Sequence, residues 1–150
     1  MGTILTSPKE VAPWYALVND AQYQVGCQLP EDIESYLVFL LMRYTRKREM
    51  AGNVLSIGFM ESLRSRGVER KNALKDVGDT CLLYAGLFPK RARRLRVPDD
   101  YFANLGRGAY HVLSLLAEDG FQNVYADLSG EFVFLSRILA ATRTVEKSLQ

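Results

Sequence analysis

The chain has 150 residues, of which 48% are hydrophobic and 24% charged, and its formal net charge is +2. This length suits one domain with one core, and the composition excludes general disorder. Because the net charge is small, any attraction to nucleic acid must come from a local cluster.

Apolar residues recur at helical spacing along most of the chain, and no alternating stretch predicts a strand. We therefore predict an all-α, single-domain bundle or irregular array of about six helices. Pro8 and Pro13 interrupt regular structure near the start, so residues 1–12 are expected to form an N-terminal arm and residues 13–150 the helical domain. The first helix is expected from Pro13 to Val25.

The second predicted helix begins at Pro30, a residue that suits the first turn, and has acidic residues at its start and basic residues at its end. Residues 36–42 are apolar nearly all round, which predicts that this helix is the central one. A further helix is expected to end at Gly67 in a left-handed cap. The next covers residues 69–88 and should bury Cys81.

A basic run follows this helix, with five cationic side chains between Lys90 and Arg96. If a short helix continues through Pro89, Lys90, Arg91 and Arg94 lie together on its outer face. Arginine suits phosphate and carboxylate groups, so these three residues and Arg107 are candidate anion-binding residues. The alternative is that the run is only the solvated face of a short helix.

The sequence Pro98-Asp99-Asp100 is typical of a helix start, and the helix that it opens should reach Glu118. Gly106 and Gly108 lower its helix propensity, which indicates that another backbone approaches closely. In the last helical region, Gly130 is expected to kink or split the helix. The buried positions of that region are predicted to be Leu128, Phe132, Leu135, Leu139 and Thr142.

Cofactor chemistry has little support in the sequence. A dinuclear metal bundle needs several Glu-x-x-His pairs, but His111 is the single histidine. Cys27 and Cys81 are too few and too scattered for zinc, and their low number favours reduced thiols. Neither a complete dinucleotide fingerprint nor a Walker A motif occurs. We therefore predict no cofactor, no metal and no catalytic residue, with His111 on an exposed or rim position.

Asp76 and Asp79 stand three residues apart, so their carboxylates could share one helix face and accept protons or a cation. Acid pairs are common on exposed helix faces, however. We therefore favour solvent exposure, or pairing with Lys75, Arg70 or nearby arginines.

Two stretches carry a resemblance to a protein group: V-G-D-T-C-L-L-Y-A-G-L-F-P, residues 77–89, and Y-F-A-N-L-G-R-G-A-Y-H, residues 101–111. They resemble a group of uncharacterised bacterial helical proteins. Its hallmarks are a Gly-Asp pair, an apolar turn with G-L-F-P, and a helix rich in small residues that ends in Ala-Tyr. The resemblance covers most of the chain after Ala12. It implies a helical fold, and because the group has no established activity, it assigns no catalytic residue.

Three functions stay open. The favoured one is a non-enzymatic interaction module, whose arm and apolar helix faces form a homodimer or dock a partner protein. The second is a pocket between helices for a small acidic or lipidic ligand, with arginines and Tyr36, Tyr84 and Tyr110 as polar groups. The third is non-specific phosphate or nucleic-acid binding by residues 90–96, which is less favoured because acidic residues follow.

The expected location is the cytoplasm. The N-terminus has no basic segment followed by an apolar one, and the longest purely apolar run, residues 36–42, is too short to span a bilayer. We therefore expect no membrane partner.

Overall fold

The computed structural model of the protein describes residues 8–46, 64, 66–88, 90, 94, 96–98, 100–118 and 120–148. The helices of this part are α1 (Pro8–Val25), α2 (Glu31–Arg46), α3 (Gly67–Leu87), α4 (Tyr101–Leu116), α5 (Phe121–Gly130) and α6 (Phe132–Ser148). No strand occurs among the described residues, and the predicted all-α, single-domain array is confirmed. None of the helices in these ranges is long and apolar enough to cross a membrane.

Helix α3 is the most buried helix of the array. Every residue from Val77 to Tyr84 is buried, and α3 packs against both α4 and α6. The burial of Leu37, Val38, Leu40, Leu41 and Met42 agrees with the expectation that α2 is covered on several sides, and its central place in the array stays a prediction. Helix α2 packs against α1 and touches α5, and Phe39 within its apolar run is 49% exposed. A helix that is apolar nearly all round is expected to pack against several neighbouring helices, but a cavity can lie on one side in place of a neighbouring helix.

Helix α1 begins at Pro8, so residues 8–12, which the sequence assigned to the arm, are helical. Proline fits the first helical turn because its missing N–H has no intrahelical partner there. Pro13 lies inside the helix, where it removes one backbone hydrogen bond. The packing of α1 against α2 and α6 offsets that cost. The remaining arm residues, 1–7, lie outside the described residues.

The final helical region divides at Gly130, as predicted, because α5 ends there and α6 begins at Phe132. All the positions predicted to be buried in it are buried: Leu128, Phe132, Leu135, Leu139 and Thr142. Cys81 is also fully buried, as predicted. Gly67 has the φ of +59° that a left-handed cap requires, but it stands at the start of α3, and most of the helix expected before it lies outside the described residues.

The two glycines of α4 differ in their surroundings. A Cβ at Gly106 would lie 2.4 Å from the ring of Phe132 and 2.8 Å from the Cβ of Cys81, whereas nothing lies within 4 Å of a Cβ at Gly108. The prediction of close packing is therefore confirmed at Gly106, although side chains and not a backbone make the approach. It was wrong at Gly108, which is exposed.

We expect Gly106→Ala to lower the free energy of unfolding by about 1–3 kcal/mol, because the added methyl overpacks the core. Gly108→Ala is the matched control on the same helix. It should raise stability by up to about 1 kcal/mol, because alanine is the better helix former. Urea denaturation of both variants checks the prediction, and equal effects at the two positions would contradict it.

Candidate functional site

A buried carboxylate joins three helices. Asp79 of α3 is fully buried, and its Oδ1 accepts hydrogen bonds from the hydroxyl of Tyr36 at 2.6 Å and from that of Tyr110 at 2.7 Å. Its Oδ2 accepts one from Lys75 Nζ at 3.0 Å and another from the guanidinium of Arg43. A carboxylate offers about four acceptor sites, so these four donors compensate its burial.

The helices place these donors by simple spacing. Lys75 precedes Asp79 by four residues, so both lie on one face of α3. Tyr36 and Arg43 are seven residues apart and share one face of α2. Tyr110 comes from α4. Lys75 also lies 5.4 Å from the centre of the Tyr36 ring, where a cation and an aromatic face attract each other.

Gly78 makes the contact between α3 and α4 possible. A Cβ at this position would lie 2.5 Å from Cε1 of Tyr110, so the ring rests directly against the helix at the glycine. The tyrosine hydroxyl then reaches the carboxylate of the next residue, Asp79. The Gly-Asp and Ala-Tyr pairs singled out in the sequence therefore meet in space.

The electrostatics keep the hydroxyls of Tyr36 and Tyr110 and the guanidinium of Arg43 protonated. Burial, and then the charge of Asp79, raise the pKa of Tyr36 and of Tyr110 well above the usual value. Burial lowers the pKa of Arg43, but the charge of Asp79 and its hydrogen bond outweigh that effect and raise the pKa overall. Tyr36, Tyr110 and Arg43 therefore stay hydrogen-bond donors to Asp79 near neutral pH.

A cavity of about 670 Å³ lies beside this cluster, between α2, α3 and α5. Its volume is in the range of about 300–1,000 Å³ that is typical of ligand pockets. Tyr36, Arg43 and Lys75 belong to its wall, together with Asp32, Ser35 and Tyr125. The apolar part of the wall consists of Phe39, Leu40, Met42, Phe121 and Val124. Phe39 and Phe121 are 49% and 57% exposed, so apolar surface faces solvent at the opening.

A second cavity, of about 270 Å³, adjoins the first. Lys75, Phe121 and Tyr125 line both cavities. The rest of the smaller wall is formed by Lys71, Asn72, Leu113, Ala117 and Glu118.

Of the tyrosines predicted to be polar groups of a pocket, Tyr36 lines the larger cavity, whereas Tyr84 and Tyr110 line neither cavity. Tyr36 and Tyr110 converge on one carboxylate, whereas Tyr84 stacks on Phe102 with 5.0 Å between ring centres. Arg43 adds a guanidinium whose Nε is buried and has no hydrogen-bond partner in the described part of the protein. The sequence reasoning did not single out Arg43 individually, because an arginine near a helix C-terminus is adequately explained by the helix dipole.

The interpretation of the acid pair needs a correction. Asp79 is buried and not exposed, although its predicted pairing with Lys75 is confirmed at 3.0 Å. Asp76 is exposed, and partial desolvation and then the charge of Asp79 raise its pKa. The two carboxylates therefore do not form one shared site. A signal was present in the sequence, because Asp79 is the one charged residue in the run from Val77 to Pro89.

None of the candidate anion-binding residues that the structure describes lines either cavity. Lys90, Arg94 and Arg107 are exposed and line neither of them, and Arg91 lies outside the described residues. Anion binding by these residues stays a prediction. His111 is exposed, as predicted.

In the described ranges, no group of three or more His, Cys, Asp or Glu side chains is placed to hold a metal ion. No family model, curated protein or solved structure matches the chain. The resemblance to bacterial helical proteins thus stays a prediction.

Asp79→Asn should lower the free energy of unfolding by about 3 kcal/mol or more, because it leaves two cations near the core without their counter-charge. Asp76→Asn, one turn earlier, is the control. The raised pKa of Asp76 means that the fold disfavours its charge, so this variant should lose no stability at pH 7. Chemical denaturation of both proteins measures the difference, and a harmless Asp79→Asn would contradict the prediction.

The raised pKa values of Tyr36 and Tyr110 predict that the free energy of unfolding decreases at alkaline pH. The native protein retains protons on Tyr36 and Tyr110 that the unfolded chain releases near pH ~10. Their contribution is therefore complete below that pH and falls as the pH rises above it. Tyr36 and Tyr110 should therefore ionise only on unfolding. Titration of tyrosinate absorbance checks this, and Tyr36→Phe/Tyr110→Phe should remove two late-titrating groups.

Proposed function

We propose that this protein binds a small, largely apolar molecule of lipid-like character in the larger cavity between α2, α3 and α5. The observation that carries the proposal is the cavity itself, with a volume of about 670 Å³ and five apolar side chains in its wall. Pockets of this kind typically combine an apolar lining with a few fixed polar groups.

The Asp79 cluster supports the proposal because it fixes part of the wall before any ligand arrives. Tyr36 and Arg43 are held by hydrogen bonds to a buried carboxylate, and Lys75 is held by the same group. A wall that is already ordered loses less side-chain entropy on binding. The opening is apolar as well, because Phe39 and Phe121 remain half exposed without a ligand.

The interaction-module hypothesis stays a prediction. Among the described residues, the large exposed apolar side chains that line neither cavity lie on different helices, as with Tyr23 on α1, Leu115 on α4 and Val133 on α6. The homodimer and the partner protein expected from the sequence therefore have less support than the cavity, which concentrates apolar residues of α2 and α5 in one concave place.

The test is saturable binding of a neutral, environment-sensitive dye such as Nile red. Phe39→Asp should weaken binding at least tenfold, or about 1.4 kcal/mol, because it places a charge in an apolar wall. Val133→Asp is the matched control, since Val133 is 45% exposed, close to the 49% of Phe39, and lines neither cavity. It should leave binding unchanged.

Two results would overturn the proposal. One is the absence of saturable dye binding by the wild-type protein at one site per chain. The other is an equal loss of binding in Phe39→Asp and Val133→Asp, which would show that the dye adheres to exposed apolar surface in general. Circular dichroism of both variants establishes that they are folded.

A further inference from the structure

The two cavities have different chemistry on either side of a shared wall. Phe121 and Tyr125 of α5 and Lys75 of α3 line both. The larger cavity is mainly apolar, whereas the smaller one adds the amine of Lys71 and the amide of Asn72 from α3. A molecule that extends from one cavity into the other would thus pass from apolar to cationic surroundings.

The two lysines of the smaller cavity differ in how far nearby acidic side chains neutralise their charge. Lys71 and Lys75 are four residues apart on one face of α3, where like charges repel each other. Lys75 is paired with buried Asp79 at 3.0 Å. The described acid beside Lys71 is Glu118, at 4.0 Å, and its side chain is 77% exposed, so the pair is weak. An anion between the two amines would therefore relieve their repulsion and meet a charge that the protein barely neutralises.

Both amines are partly shielded from water, because the side chains of Lys71 and Lys75 are 32% and 29% exposed. Partial burial strengthens their attraction for an anion relative to fully solvated lysines. Asn72 can donate further hydrogen bonds through its amide group. Glu118 on the same wall opposes an anion, but its exposed side chain is free to turn toward solvent.

From this arrangement we infer that the smaller cavity seats the anionic headgroup of the ligand, so that the two cavities together bind an amphiphile with a terminal oxyanion. The headgroup, a carboxylate or a phosphate, lies between Lys71 and Lys75, and the apolar chain extends past Phe121 and Tyr125 into the larger cavity. This inference rests on the proposed function, because the chain occupies the same larger cavity.

The experiment compares three ligands with the same ten-carbon chain, namely decanol, decanoate and decyl phosphate, each by displacement of Nile red. The wild-type protein should bind both anions at least about tenfold more tightly than decanol. Lys71→Gln should remove most of this advantage and leave the affinity for decanol within about twofold, because the apolar cavity is untouched. The advantage should also shrink as salt is added.

Arg137→Gln is the matched control, because Arg137 is an exposed cation that lines neither cavity. It should leave all three affinities unchanged. If Arg137→Gln and Lys71→Gln weaken anion binding equally, the effect is a general one of net charge and the inference is wrong.

The remaining outcomes separate this inference from the proposed function. Equal affinity of the wild-type protein for decanol and the two anions overturns the inferred headgroup-binding site in the smaller cavity but leaves the apolar pocket intact. If Lys71→Gln still binds the two anions more tightly than decanol by the wild-type factor, the inferred headgroup site is overturned and the apolar pocket stays intact. If neither the dye nor any of the three ligands binds, the proposed function fails and the inference fails with it. A preference between the two anions shows whether a carboxylate or a phosphate is the better headgroup.

Discussion

The described array depends on the burial of one charge. A carboxylate removed from water costs several kcal/mol unless donors surround it, and Asp79 receives donors from α2, α3 and α4. Hydrogen bonds to a charged group typically contribute about 1.5–3 kcal/mol each. The carboxylate is satisfied only when these helices occupy their native positions. It therefore selects one arrangement among the several that apolar packing alone would permit.

The cavity lies directly beside the same interaction. Helix α2 packs on α1, and it reaches Asp79 of α3 through two long side chains, Tyr36 and Arg43. These two side chains also form part of the cavity wall. The cavity is bounded on the third side by α5, where Tyr125 contacts the Tyr36 ring at 6.2 Å between centres.

The sequence predicts the helices well but the site poorly, for one physical reason. Periodicity identifies a helix with a buried face, and the positions of Cys81, Leu135 and the break at Gly130 follow from it. Reasoning from periodicity assumes that the opposite face of a helix is exposed to solvent. This assumption fails for α3, because α3 is buried on all sides near Asp79. Periodicity therefore favoured an exposed acid there. The cavity escapes such reasoning altogether, since it depends on how far apart helices stand.

Because of the contact between Gly78 and Tyr110, the side chain tolerated at one of these two distant positions depends on the side chain at the other. Any side chain at residue 78 collides with the ring, and any smaller side chain at residue 110 removes both the filler of that space and the hydroxyl that Asp79 accepts. A substitution at either position alone lowers the stability of the fold. A double substitution that restores the packed volume still removes one hydrogen-bond donor to the Asp79 carboxylate. A substitution at residue 78 or 110 therefore also alters the surroundings of Asp79, so that the three positions are energetically coupled.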